Sequence, residues 1–321
     1  SVWVAGCQQG AELPAPRAAA PAVAAAPAPQ ATPSPQPAPA STPQPALVRE
    51  GVTEKLTDHV WAIPDGSAPL VPNVGIVVGS NAVLVVDTGM GARNAQAVRG
   101  KVPKVGAGKP IYIVTTHFHP EHDMGAHAFP AGSKLIRSED QKKDIAEFGR
   151  ALADTFASRS ALNAELLKDV THRPADISFD KEYTLDLGGV TAKIMAVGPN
   201  HTGGDTIVFV DGVLFSGDDA MRPQPSVMAQ RATVSHWLAT LDSMDALKPV
   251  HVVPSHGPRG DAGIIQGYRT YFTRIRDRAS ALKKEGKTQD QAVEIITGEM
   301  AGQYPDRNRL AGAIRMAYAE A

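Results

Sequence analysis

Cysteine is nearly missing from this chain: Cys7 is the only one among 321 residues. No intrachain disulfide can form, and no thiolate lies near the motifs described below. No apolar run reaches the roughly 18 residues of a membrane-spanning helix. Neither sign of charge dominates, since 32 Lys and Arg stand against 33 Asp and Glu for a formal net charge of −1. Acidic and basic runs are also absent, so nothing electrostatic calls for a nucleic-acid partner, and a nuclease is the weakest of the enzymatic readings. There is no internal repeat and no G-x-S-x-G nucleophile motif. What remains is an ordinary globular composition, 43% hydrophobic and 20% charged, long enough for one large domain or two small ones.

The exception is the N-terminal stretch. Eleven of the 26 prolines fall between Pro14 and Pro45, interleaved with Ala, Gln, Ser and Thr, and the only charges in residues 1–47 are Glu12 and Arg17. Proline removes amide donors and fixes φ, so residues 1–47 read as an extended, solvated linker, with a folded domain over residues 48–321. Upstream, Val4-Ala5-Gly6-Cys7 resembles a bacterial lipobox, in which Cys7 would carry the lipid. That reading predicts a membrane tether and a place in the periplasm or outer cell envelope. The bland alternative is a tail that happens to hold one Cys.

From Val48 onward, β-branched runs bounded by Gly, Asn, Asp or Pro predict strands at Val74–Val78, Ala82–Val86, Ile111–Val114, Thr191–Val197, Thr206–Val210, Val213–Phe215 and Val250–Val253. Asp211-Gly212 is a hairpin signal between two of them. A 3.6-residue period marks three helical stripes, each expected to face a core. One runs from Val234 to Met244, another from Ile264 to Leu282, and the third takes in Ile145, Phe148, Leu152 and Phe156. Thr288 and Gln291 read as a capping box. Strands mixed with helices along the whole domain indicate a layered α/β (α+β) architecture.

The most informative segment is Thr115-Thr116-His117-Phe118-His119-Pro120-Glu121-His122-Asp123, directly after an apolar strand. In extended chain, residues i and i+2 point to the same side, so His117 and His119 can bind one metal together, while Glu121 and His122 follow where the chain turns. Imidazole and carboxylate suit zinc and harder first-row metals. A lone His-x-His is weak evidence, and His59, His127, His172, His236 and His251 read as surface or satisfied core residues. The signal is the combination. His201 lies between two predicted strands in Asn200-His201-Thr202-Gly203-Gly204, Asp218 follows Ser216-Gly217, and His256 follows Pro254-Ser255. Each sits where a strand ends and glycine lets the backbone turn.

These residues resemble the signature of the metallo-β-lactamase superfamily, over a stretch from about Val52 to Asp261. Val85-Val86-Asp87-Thr88-Gly89 resembles that family's first motif, and Val213–Asp218 and Val253–Pro258 are similar to the corresponding strands of glyoxalase II. The resemblance implies a four-layer αββα sandwich. It also implies two zinc ions, with iron or manganese compatible, one held by His117, His119 and His201 and the other by Glu121, His122 and His256. Asp218 would bridge them, and Asp87 would orient the ligand loops by accepting their hydrogen bonds. Two positions depart from the pattern. Glu121 replaces an Asp, which moves the carboxylate by a methylene, and Asn200 stands where a small residue usually precedes the third histidine.

The function implied is hydrolysis of an ester-like carbonyl (thioester, lactone or β-lactam) in a small-molecule substrate, with Glu121 or Asp218 passing the proton to the leaving group. The absence of a cysteine ligand argues against the β-lactamases that use one. The loops at Ser67–Asn73, Glu139–Asp169 and Met221–Arg231 are expected to choose the substrate, the Arg and Lys of the second being a solvated face. Two alternatives stay open: a mononuclear-iron oxidoreductase similar to persulfide dioxygenases, and a non-catalytic, tethered metal-binding lipoprotein. The oligomeric state is not legible.

Overall fold

A computed structural model describes residues 44–49 and 53–321; Cys7 and nearly all of the proline-rich stretch lie outside the described residues. Among the described residues the strands form two sheets. The first runs in chain order through β1 (Glu54–Lys55), β2 (Val60–Ile63), β3 (Val74–Val78), β4 (Val83–Val86), β5 (Ile111–Val114), β6 (Lys134–Ser138) and β7 (Ile177–Phe179). The second is built from β8 (Glu182–Asp186), β9 (Thr191–Ala196), β10 (Thr206–Val210), β11 (Val213–Gly217) and β12 (His251–Pro254), with β8 and β12 at its edges. Strands β4 to β7 pair in parallel, as do β11 and β12, and the other neighbours are antiparallel.

Alternation along the strands sets the layers, because successive side chains leave opposite faces. In β4, Leu84 and Val86 point into the cluster between the sheets, whereas Val83 and Val85 join the outer cluster under α1 (Gly91–Arg99). In β11, Val213 and Phe215 face the inter-sheet cluster while Leu214 faces the opposite one. That opposite cluster is closed by α6 (Val234–Ala246), α7 (Gly263–Lys284), α8 (Gln289–Met300) and α9 (Arg307–Glu320), through Trp237, Tyr271, Phe272, Ile296 and Ile314 among others. The result is an αββα sandwich with both sheets buried on both faces. Gly75 in β3 shows how tightly the sheets meet: a Cβ there would lie 2.5 Å from Phe215, so any side chain would force the sheets apart.

The expected strands are present to within two residues at each end, and Asp211-Gly212 turns the β10–β11 hairpin. Thr288 and Gln291 form the capping box at the start of α8. Ala46 and Val48 are buried, and Val48 N donates to Asn94 Oδ1 while Asn94 Nδ2 donates to the Ala46 carbonyl, which ties this segment to α1.

One helical stripe differs from its expectation. Of Ile145, Phe148, Leu152 and Phe156, only Phe156 is buried, and Phe148 is 37% exposed. Between α3 (Glu139–Asp144) and α4 (Arg150–Ala157) lies a π-helical turn over Ile145–Gly149. Its extra residue per turn rotates the downstream helix, so the spacing no longer keeps these side chains on one face.

Below the rim of the first sheet, Arg137 of β6 is 1% exposed. Its Nη1 donates to Asp123 Oδ1 at 2.7 Å and to Gln141 Oε1 at 2.8 Å, and its Nη2 donates to the Arg173 carbonyl. Burial opposes ionisation of Asp123, but Arg137 and then His172 outweigh it and hold the carboxyl at about 2. Because that value is depressed, the stabilisation is present above the ordinary carboxylate range and is lost as pH falls toward 2. Arg137→Met, which leaves a buried carboxylate without its partner, is expected to cost about 3–5 kcal/mol in urea unfolding at pH 7. A loss within about 0.5 kcal/mol would show that the pair is not a stabilising contact.

Candidate metal centre

The C-terminal ends of β4, β5, β9, β11 and β12 open on one rim, and each releases a short polar loop there. The two sheets are joined at this rim by Thr206 N donating to the Thr116 carbonyl at 2.7 Å and Asn73 N donating to the Ser255 carbonyl at 2.6 Å. β5 leads into His117 and His119, and the four-residue α2 (Pro120–Asp123) presents Glu121 and His122. Pro120 opens that turn with φ suited to it and no amide to leave unpaired. Gly217 closes β11 at φ +60°, a backbone that only glycine adopts easily, and so aims Asp218 into the rim.

Seven side chains converge. His117, His119 and His201 form one group whose ligand atoms all lie within 4.8 Å of one another; His117, His122 and Asp218 form a second, and Glu121, His122 and His256 a third. Asp218 spans them, with Oδ2 3.4 Å from His201 Nε2 and Oδ1 4.0 Å from both His122 Nε2 and His256 Nε2. His119 Nδ1 lies 3.3 Å from His201 Nε2, a spacing that calls for a shared proton or cation between two imidazole nitrogens. Glu121 reaches the cluster despite its extra methylene, with Oε1 3.7 Å from His122 Nε2.

The surrounding hydrogen bonds decide which ring nitrogens face inward. His201 Nδ1 donates to the Ser226 carbonyl at 2.6 Å, His256 Nδ1 to the Val71 carbonyl at 3.0 Å, and His122 Nδ1 to Asp87 Oδ2 at 2.9 Å. The Thr116 hydroxyl gives its proton to Asp87 Oδ2, so it accepts from His117 Nδ1 at 3.1 Å. In all four rings this leaves Nε2 aimed at the cluster. His117 Nε2, His119 Nε2, Glu121 Oε2, His122 Nε2 and Asp218 Oδ1 are buried with no hydrogen-bond partner. Buried polar atoms are rarely left so, and this many in one place fits a cation-binding cage of nitrogen and oxygen donors.

The electrostatics agree. Burial, and then the neighbouring imidazoles, hold His117 and His119 well below the usual imidazole range, so both are neutral bases at pH 7. Burial acts against the charge on Asp218, but His201, His256 and His122 outweigh it and keep the carboxyl low. Burial likewise opposes charge on His122, yet Asp87, with Glu121 and Asp218, raises it to about 9.

Asn200, the second departure from the expected pattern, serves the same loop. Its Nδ2 donates to the Val197 carbonyl and to Thr240 Oγ1, which pins the His201 segment to α6. Asp205 accepts from the amides of Asn200 and Thr202 on its other side. The five histidines set aside from the sequence belong to none of the three groups. His59, His127 and His236 bond backbone carbonyls, and His172 bonds Asp123.

The cluster floors a cleft of about 560 Å³. All three segments expected to choose the substrate contribute to its wall: Ser67–Leu70, then Phe156 and Arg159, then Met221, Pro223, Ser226 and Met228. Two features differ from expectation. Arg159 belongs to the segment whose cations were assigned to a solvated face, but it lines the cleft with its guanidinium 3.9 Å from the Phe156 ring centre. Arg309 of α9 also lines it, and no motif or spacing around residue 309 marks it in the sequence.

The sequence model of the metallo-beta-lactamase superfamily matches residues 68–256, more than half of the chain, and the chain belongs to that superfamily. These are hydrolytic enzymes that bind divalent metals, typically zinc. A linear primary-alkylsulfatase of Pseudomonas sp. (strain ATCC 19151) is 24% identical over 274 residues, covering 73% of this chain and 52% of the relative. The chain thus spans about half the length of that curated relative. Among solved structures, a stereoselective inverting sec-alkylsulfatase from Pseudomonas sp. superposes with a TM-score of 0.62 at 16% identity, over 84% of this chain and 50% of the other. A metallo-beta-lactamase family protein from Thermus thermophilus gives 0.59 at 19%, over 83% and 93%.

Asp87→Ala removes the carboxylate that orients His122 and, through Thr116, His117. It is expected to weaken zinc binding about 10- to 100-fold in competition titrations. In the unaltered protein, a zinc ion bound through Glu121, His122 and His256 would have to displace the His122 proton, so affinity there is expected to rise about tenfold per pH unit from 7 toward 9 and then level off. A pH-independent affinity across that range would contradict the proton competition.

Proposed function

We propose that this chain is a metal-dependent hydrolase that cleaves an ester-like carbonyl (a thioester, lactone or β-lactam) in a small organic substrate. The observation that carries this is the set of unpartnered, buried nitrogen and oxygen atoms of His117, His119, Glu121, His122 and Asp218, in a cluster whose His119, Glu121 and Asp218 line an open cleft. His117, His119 and His201 would hold one ion, Glu121, His122 and His256 a second, and Asp218 would touch both. Two zinc ions fit this donor set best, with iron or manganese compatible. Divalent ions in such a site supply water that ionises near neutral pH and Lewis-acid polarisation of the substrate oxygen.

The chain's own groups account for the rest. Asp87 fixes the tautomers of His122 and, through Thr116, of His117 before substrate arrives. Asp218 is ionised at neutral pH and can orient the attacking water. The unpartnered Oε2 of Glu121 can take the water's proton and return it to the leaving group. Leu70, Phe156 and Met221 give the cleft an apolar wall.

A second reading, sulfate-ester hydrolysis, is favoured by the likeness to the two alkylsulfatases. Both readings need the same metal cluster and differ in the bond cleaved. Part of the proposal is that Cys7, outside the described residues, carries lipid and tethers the enzyme in the cell envelope.

His119→Ala is expected to lower bound metal by at least one ion per chain and to abolish hydrolysis of a panel of thioesters, lactones, a chromogenic lactam and alkyl sulfates. Unchanged stoichiometry and rate would refute the assignment. Mass spectrometry of membrane-extracted protein should find acyl mass on the Cys7 peptide. An unmodified thiol there would remove the tether and leave the hydrolase reading intact.

A further inference from the structure

The metal-compatible cluster occupies only the floor of the cleft; the wall has a chemistry of its own. Arg159 lies just beyond α4, and Arg309 lies in the first turn of α9, 150 residues later in the chain. Both line the same cleft. The Arg159 guanidinium stacks on Phe156, and among the described residues it has no carboxylate partner. Arg309 is held in place instead: Nη1 donates to the Gln224 carbonyl and Nε lies 3.4 Å from Asp306 Oδ2, while its Nη2 has no hydrogen-bond partner among the described residues. Asp65, which also lines the cleft, is occupied by the amides of Ser67 and Gly257 and does not neutralise either cation.

Around the arginines the wall is apolar, with Leu70, Phe156, Met221 and Met228. Met228 is 49% exposed, and with His119 it also lines an adjoining cavity of about 600 Å³ that contains Leu152 and the exposed Phe148. Met228 and Phe148, both exposed, line that adjoining cavity together. The two cavities share His119 and Met228 in their walls, so the apolar residues around Phe148 lie next to the cleft.

We infer that Arg159 and Arg309 form an anion-recognition pair, and that the substrate is an anionic amphiphile. Its negative group meets the two guanidinium groups, and its apolar chain lies along Phe156 and Met228 toward Phe148. This deepens the hydrolase reading and rests on it for the identity of the site. Guanidinium presents several donors in a planar fork, which suits both sulfate and carboxylate. Two sources share that chemistry: a sulfate ester, in which the anion belongs to the bond cleaved, and a carboxyl-bearing ester, in which it lies elsewhere.

The test is calorimetric and needs no turnover. n-Octanesulfonate and the neutral n-octyl glucoside are titrated into the full-length, zinc-loaded protein and into R159M, R309M and F148S. Each arginine variant is expected to raise the Kd for the sulfonate about tenfold, the weight of one charge-assisted hydrogen bond, and to leave the glucoside unchanged. F148S is expected to weaken both probes. R159M is exposed and does not threaten folding; zinc stoichiometry and the thermal midpoint report whether R309M, whose side chain holds the Gln224 loop, is intact. Sulfonate binding unchanged in R159M, or lost equally with the glucoside in both arginine variants, overturns the proposal. Turnover of n-octyl sulfate against mono-octyl succinate then separates the two sources. Arginine-dependent sulfonate binding with no turnover of any ester would sink the hydrolase reading and leave the anion pair standing.

Discussion

One buried carboxylate holds the rim together. Asp87, at the end of β4, sits at φ +64°, a left-handed backbone that Asp tolerates better than most residues. From there it accepts from Thr116 N at 2.7 Å, Thr116 Oγ1 at 3.0 Å and His122 Nδ1 at 2.9 Å, and it lies 3.5 Å from Ser255 Oγ beside His256. One side chain thus couples the end of β4 to the loop after β5, to α2 and to the loop after β12. The strands deliver these loops to the same rim, but parallel pairing alone leaves side-chain direction open. Asp87 narrows it, because an imidazole that donates Nδ1–H to a fixed oxygen has its Nε2 lone pair fixed as well.

The cost of such a site explains the frame around it. Every buried donor or acceptor left without a partner carries a desolvation penalty of about 1–3 kcal/mol, and five atoms of the cluster are in that position. The offset comes from the sandwich: three apolar clusters, one between the sheets and one on each outer face, hold the strands whose ends carry the polar groups. Cation binding to the cage would satisfy those atoms and return free energy to folding, which makes metal affinity and stability two readings of one quantity.

What was legible in the sequence depends on how local each feature is. The central strands, buried on both faces, read as continuous apolar runs, and the four loops of the cluster announce themselves as polar residues after such runs. Edge strands carry no such mark: in β8 (Glu-Tyr-Thr-Leu-Asp) only Leu185 is buried, and β1 is two residues long. The Phe148 stripe misled because periodicity assumes an unbroken α-helix, and a π-helical turn interrupts this one. His122 and His172 look alike as sequence, yet His122 bonds Asp87 within the cluster and His172 bonds Asp123 beneath it. Arg159 and Arg309 are the extreme case. Lining the cleft is a property of tertiary approach, and no pattern within either segment encodes a residue 150 positions away.

The C-terminal helices therefore have two roles. They cover the outer face of the second sheet, where Tyr268 and Phe272 of α7 pack against Trp237 of α6. The same packing carries polar groups to the rim: Tyr268 Oη donates to the Asp218 carbonyl at 3.4 Å, and Gln224 binds both the amide and the carbonyl of Asp306, the cap of α9. The loop from Met221 to Met228 is consequently clamped between the His201 loop of the cluster on one side, where the Ser226 carbonyl holds His201, and α9 on the other. A change in how α9 seats on the sheet would shift Arg309 and this loop together, and through Ser226 it would reach His201. The matched superfamily segment ends at residue 256, so the helices beyond it join the cluster to the cleft wall that contacts whatever the enzyme binds.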